Sequence, residues 1–261
     1  MTGLLQDRVA IVVGIGPGIG TDTARAFARE GARVVLGART EERLGDVARE
    51  VEALGGSAEW RATDVTDEGQ CSALAQAALD RFGRIDVLVN NAFVQPPIET
   101  IEDNTLETWR QAFEVNLFGA VAMTKAVLPA MKEQRAGSVV FVASMSARRI
   151  QVGFGPYAAS KNALLSTART LAKELGPDGI RVNSVLPGYV WGPSLKWWFK
   201  QLAKEQGRTR EEVYDEVAAE TSLRRLPTPA EVADAIVFLA SDLARGITGQ
   251  TLDVNAGHWF D

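Results

Sequence analysis

Val9-Ala10-Ile11-Val12-Val13-Gly14-Ile15-Gly16-Pro17-Gly18-Ile19-Gly20 runs five apolar residues into a turn holding four glycines and a proline within seven positions. Thr23-Ala24-Arg25-Ala26-Phe27-Ala28 follows with a helical pattern. A buried strand, a tight turn and a helix in that order make the opening unit of a sheet whose strands are joined by helices.

The same rhythm continues on both sides of the later turns. Arg33-Val34-Val35-Leu36, Ala58-Glu59-Trp60-Arg61, Ile85-Asp86-Val87-Leu88-Val89, Ser138-Val139-Val140-Phe141-Val142, Ile180 to Leu186 and Thr251-Leu252-Asp253-Val254 read as strands. Their continuous apolar character predicts cover on both faces, as in a parallel sheet. Helix starts stand between them: Thr40 before Glu41-Glu42, Thr105 before Leu106-Glu107, and capping boxes at Thr209–Glu212 and Thr228–Glu231. This alternation predicts one domain over residues 1–261, an α/β, Rossmann-type doubly wound sheet of seven mostly parallel strands with helices on both faces. Between Pro187 and Thr228 lie about forty residues where a short connection would suffice. That excess predicts a substrate lid at about 189–226.

Composition narrows the chemistry. Of 261 residues, 46% are hydrophobic and 23% charged, which excludes disordered, collagen-like and coiled-coil chains. Lys+Arg 28 against Asp+Glu 33 leaves a net charge of −5, so no nucleic-acid partner is expected. The longest charge-free stretch, Val182 to Leu195, is too short and too polar to span a bilayer, and no membrane partner is expected. Met1 to Arg8 lacks a basic start followed by an apolar core, so no secretory leader is expected. Cys71 and His258 are each the single residue of their type, which leaves no disulfide, no metal site and no histidine-based triad. A reducing, cytoplasmic location is the expectation, with chemistry drawn from Tyr, Lys, Ser, carboxylates or a bound cofactor.

The glycines of the first turn let backbone approach a pyrophosphate, and the helix after it offers N–H groups and a positive dipole end. Their spacing, Gly14, Gly18, Gly20, differs from G-x-G-x-x-G. At the end of the second strand, Gly37-Ala38-Arg39 has no acid before Glu41. A carboxylate there would bind a ribose 2′-hydroxyl, whereas a guanidinium pairs with a 2′-phosphate. NADP(H) is therefore favoured as cofactor, and NAD(H) stays open. Tyr157 and Lys161 lie one helical turn apart and share a face. A neighbouring ammonium favours the phenolate, so a depressed tyrosine pKa is expected.

With these motifs in order, the chain resembles the short-chain dehydrogenase/reductase family along essentially its whole length. Gly14-(x3)-Gly18-Ile19-Gly20 resembles that family's nucleotide loop, Asp64-Val65 the pair beside the adenine, and Asn90-Asn91-Ala92 its sheet-stabilising motif. Asn116, Ser144, Tyr157 and Lys161 match the catalytic tetrad, and Pro187-Gly188 with Val190 the turn at the nicotinamide. Three positions depart: Val13 where Thr is usual, Phe93 where Gly is usual, and Gly192 where a threonine is usual, with Ser194 as a stand-in. The resemblance implies hydride transfer coupled to proton transfer. Tyr157 would serve the substrate oxygen, Lys161 would hold the phenolate and the ribose, Ser144 the carbonyl, and Asn116 a water. It also implies a homotetramer, with a dimer as the other arrangement. A small-molecule carbonyl or alcohol is the expected partner. The activity expected is ketone reduction or alcohol oxidation on an apolar substrate. A 3-oxoacyl-thioester reductase and a weakly active nucleotide-binding sensor are the alternatives.

Tyr189, Trp191, Trp197, Trp198 and Phe199 crowd the lid, and Leu195, Trp198, Phe199 and Leu202 form one apolar helical stripe. Phe93, Met145, Phe154, Trp191 and Trp198 are the candidate substrate residues. Two readings of the lid aromatics stand side by side: they line the pocket, or they pack the lid onto the core or a second subunit. Arg148-Arg149 and the lid lysines raise a CoA or acyl-carrier substrate, against a solvated surface. His258 has no partner motif and is read as packing.

Overall fold

The computed structural model describes residues 3–260. Its strands are β1 (Val9–Val13), β2 (Arg33–Ala38), β3 (Ser57–Ala62), β4 (Val87–Asn90), β5 (Gly137–Val142), β6 (Ile180–Pro187) and β7 (Thr251–Val254). They form one sheet in the order β3-β2-β1-β4-β5-β6-β7, and every neighbouring pair is parallel. The expectation of a mostly parallel sheet thus sharpens to a wholly parallel one.

β1 shows why its run is apolar throughout. Ala10 and Val12 pack with Phe27, Leu44, Val232 and Ile236 on one face, while Val9, Ile11 and Val13 pack with Leu74, Met123, Val127 and Leu164 on the other. The first layer comes from α1 (Ile19–Arg29), α2 (Glu41–Ala53) and α9 (Pro229–Ala240); the second from α3 (Glu68–Phe82), α5 (Gly119–Gln134) and α6 (Gly155–Leu175). Each fully buried aliphatic or phenyl side chain contributes about 1.5–3 kcal/mol. β3 departs from the double-cover expectation. It is an edge strand, its Glu59 and Arg61 project from one and the same face, and no position in it is fully buried.

The caps are those the sequence announces, with one exception. Thr105, at the head of α4 (Leu106–Phe113), accepts the Thr108 N–H. Both boxes close reciprocally, at Thr209–Glu212 before α8 (Arg210–Ala219) and at Thr228–Glu231 before α9. Thr40 occupies the α2 N-cap without a side-chain hydrogen bond. α7 (Pro193–Gln206) ends on Gly207 at φ +64 and packs on α8. Among the described residues, no helix is long and apolar enough to cross a membrane.

Candidate active site

Because all strands run the same way, the exits of β1, β4, β5 and β6 open on one edge of the sheet. Strand order reverses between β1 and β4, where α/β sheets form a crevice. Gly14 (φ +85) and Gly18 (φ +126) adopt conformations that favour glycine. A Cβ on Gly14 would collide with the Ala92 backbone, and one on Gly20 with the Gly14 carbonyl and with Asn91 Nδ2. Asn91 Nδ2 donates to Gly14 O at 2.6 Å, so the exit of β4 straps the loop in place. Beyond that strap the loop faces open space, since a Cβ on Gly16 would meet nothing within 4 Å. α1 starts there with no side-chain cap, leaving its first N–H groups without acceptors inside the helix. This cradle fits a diphosphate: bare amides, a positive helix end and room above both.

Around the cradle, Arg39 leaves β2 exposed, and no carboxylate among the described residues pairs with it. Asp64 Oδ1 accepts from Thr66 N (3.0 Å) and Thr66 Oγ1 (2.8 Å), which shapes the turn into α3. Val65 is buried where a Cβ on Gly119 would strike it. Pro187 ends β6, and Gly188 N donates to Val254 O at 3.1 Å. A Cβ on Gly188 would lie 2.8 Å from Asn255 Cβ and 3.4 Å from Met145 Sδ. Val190 packs against the sheet face.

The four tetrad positions converge beside this crevice. Ser144 follows β5, and its hydroxyl acts on the Tyr157 phenol of α6, favouring the phenolate. Lys161, 2% exposed, donates to Val142 O at 2.9 Å. Asn116 lies in a single π-helical turn, Glu114–Phe118, between α4 and α5. Its carboxamide accepts from Val94 N (2.8 Å) and donates to Val94 O (3.1 Å) and Ser160 Oγ (3.0 Å). It therefore clamps the loop after β4 onto α6, and Ser160 joins the site as a residue no motif marked. Asn162 Nδ2 donates to Ala147 O at 2.8 Å, tying α6 to the turn that carries Ser144.

The expected depression of the tyrosine pKa is not what the site shows. Burial pushes the Tyr157 phenol up to about 12, and the Ser144 hydroxyl opposes this only in part. Burial likewise brings Lys161 down to about 7. The ammonium nitrogen sits 5.9 Å from the Tyr157 ring centre, near the Phe93 ring at 5.8 Å, and spends its hydrogen bond on β5. Desolvation wins because Lys161 leaves water without a carboxylate partner, and the Tyr157 phenol leaves it with the ammonium bonded elsewhere, to Val142 O.

Aromatics of residues 189–226 pack against one another. Trp191 lies 4.5 Å from the Tyr214 ring and 5.7 Å from Phe199, and Trp198 5.5 Å from Phe199 and 6.1 Å from Tyr189. With Leu195, Leu202, Val213 and Leu226 they form a small core of the lid itself. Trp191 and Trp198 are half-buried in this cluster, as aromatic stripes at helical spacing tend to be. Phe154 caps α6 one turn before Tyr157, and Phe93 stands 55% exposed at the crevice. Arg148 pairs with Asp253 (3.1 Å) and Arg149 with Glu220 (3.0 Å).

His258 has partners the sequence did not reveal. Its Nε2 lies 3.0 Å from Glu220 Oε2 and also contacts the Arg149 guanidinium, while its ring packs 5.6 Å from Tyr189. Gln151 Nε2 donates to Tyr189 OH at 2.8 Å. The loop after Ser144, the end of the lid and the chain's last residues are thereby joined.

Comparison with known proteins agrees with this geometry. Residues 14–258 match the family described as Enoyl-(Acyl carrier protein) reductase. A Streptomyces virginiae protein named for a monensin polyketide synthase and ketoacyl reduction is 42% identical over 255 residues, covering 96% of each chain. The 3-oxoacyl-(acyl-carrier-protein) reductase FabG of Thermotoga maritima is 36% identical over 258 residues, covering 97% of this chain and 98% of its own. A crystal structure of an actinorhodin polyketide ketoreductase variant with NADPH superposes with TM-score 0.91 at 34% identity, covering 99% of both chains. One of a 7α-hydroxysteroid dehydrogenase with NADH and 7-oxo glycochenodeoxycholic acid gives TM-score 0.88 at 33% identity, covering 98% of this chain and 96% of its own. A parallel doubly wound sheet, a strapped glycine loop and the Asn116, Ser144, Tyr157, Lys161 set, together with these matches, place the chain in the short-chain dehydrogenase/reductase family of oxidoreductases.

Proposed function

We propose that the chain is an NADP(H)-dependent reductase of a carbonyl to a secondary alcohol, or the reverse oxidation. The observation that carries this reading is the Tyr157 phenol with buried Lys161 one turn on, its nitrogen 5.9 Å from the phenol ring centre, beside an open glycine cradle. The loop Gly14 to Gly20, with Asn91 and Ala92 behind it, would hold the diphosphate, and Asp64 and Val65 the adenine side. Pro187, Gly188 and Val190 would border the nicotinamide, which when bound supplies or takes up the hydride. Arg39, exposed and without a carboxylate partner, supports a 2′-phosphate over a bare ribose. Among the relatives, NADPH accompanies the actinorhodin ketoreductase and NADH the hydroxysteroid dehydrogenase, which supports a nicotinamide coenzyme for this chain.

With its pKa near 12, Tyr157 keeps its proton at neutral pH and is ready to donate it to a substrate oxygen. Ser144 orients both the phenol and that oxygen. Lys161 places positive charge beside the phenol as the proton leaves, and Asn116 keeps the loop after β4 in register with α6. The substrate is taken to be a small to medium apolar ketone or alcohol. A 3-oxoacyl thioester is the second reading, favoured by the ketoacyl reductases among the relatives. Initial rates with NADPH and NADH against ketones, secondary alcohols and acetoacetyl-CoA test both. Turnover faster with NADPH is expected. Preference for NADH removes the role of Arg39, and no oxidation of either coenzyme removes the enzyme reading.

A further inference from the structure

Phe93 brings the loop after β4 to the tetrad. Its ring is 55% exposed, although it directly follows buried Asn91 and half-buried Ala92. The ring centre lies 5.8 Å from Lys161 Nζ, and the Tyr157 ring centre lies 5.9 Å from the same nitrogen. An ammonium carries three donors, yet here Val142 O is its hydrogen-bond acceptor, at 2.9 Å. The groups facing it are accounted for: Tyr157 from α6, the Val142 carbonyl from β5, Phe93 from the loop after β4. Asn116 is neutral and committed to Val94 and Ser160. Among the described residues no carboxylate pairs with Lys161, and burial drives it toward the neutral amine. Aromatic faces carry negative potential and attract a cation within about 6 Å, most strongly when it is desolvated.

We propose that Phe93 is a positioning residue for Lys161, its ring and that of Tyr157 together holding the ammonium in place and charged. Glycine at this position has no face to offer. The proposal rests on the reading of Lys161 as a member of the catalytic set.

The test titrates the lysine side chains of the full chain by NMR after ¹³C,¹⁵N-lysine labelling, with the Lys161 signal assigned by its loss in Lys161→Arg. Phe93→Leu keeps an apolar side chain and removes the π-face; Phe93→Trp keeps the face. The Leu variant is expected to lower the Lys161 midpoint by about half to one pH unit, with the Trp variant at or above wild type. The alkaline limb of turnover is expected to move with that midpoint. A midpoint in Phe93→Leu equal to or above wild type overturns the proposal, whatever the activity. A lowered midpoint in a chain that oxidises neither coenzyme sustains it and removes the enzyme reading alone.

Discussion

Lys161 donates to Val142 O from a position with almost no access to water, and its pKa of about 7 stands below the ordinary 10.5. Between those two values the unfolded chain holds a proton that the folded chain does not. Stability on this account rises as pH climbs from about 7 to 10.5, and the full penalty of burying the ammonium applies below 7. Lys161→Met, which removes the charge and keeps the length, is expected to melt a few degrees above wild type at pH 6, at about 2–4 °C per kcal/mol recovered. The difference should shrink toward pH 10. Calorimetry at both pH values checks it; a variant less stable at pH 6 than at pH 10, relative to wild type, contradicts it. Tyr157 to Lys161 spacing was legible in the sequence, but the titration of either group was not. Spacing tells which groups share a helix face, whereas the partners here come from β5 and the turn at Ser144, both distant along the chain. His258 shows the same limit, its partners standing 38 and 109 positions away.

At the scale of elements, the β1 turn and the start of α1 form the site that sequence reading saw most clearly, because glycine spacing reports backbone conformation directly. Arg39 extends that site from the end of β2. Arg39→Glu is expected to weaken NADPH binding by about one to two orders of magnitude and to narrow or reverse the preference over NADH. Coenzyme fluorescence titration measures both constants; unchanged NADPH affinity contradicts the assignment. Farther round the crevice, Thr228 and Glu231 begin α9, where Arg225 and the Thr228 amide hold the Glu231 carboxyl down at about 2. Thr228→Ala is expected to cost about 1 kcal/mol, or about 2–4 °C of melting temperature, read by thermal denaturation. A loss of less than one degree would show the box to be idle. The π-helical turn at Asn116 was not legible, since one extra residue in a helix leaves no mark on apolar periodicity. The lid helices were legible as apolar stripes, but not the direction those stripes face: period alone cannot distinguish a pocket wall from the small core that Trp191, Phe199 and Tyr214 form.

Across the molecule, the parallel sheet gathers loops from β1, β4, β5 and β6 at one edge, and residues 189–226 lie between β6 and α9 in the chain. Glu220, Arg149, His258 and the Gln151–Tyr189 hydrogen bond tie residues 189–226, the loop after Ser144 and His258 together. In the proposed function Tyr157 would deliver a proton to the carbonyl oxygen, and a bound nicotinamide coenzyme would supply the hydride. Mass spectrometry of the alcohol formed from a ketone panel and acetoacetyl-CoA with NADPH deuterated at the transferring position tests it directly, in wild type and Tyr157→Phe. Deuterium on the carbinol carbon is expected from wild type, with transfer at least about a hundredfold slower in the variant at unchanged coenzyme affinity. Transfer at a near wild-type rate in Tyr157→Phe, or no deuterium in any product, would contradict the account.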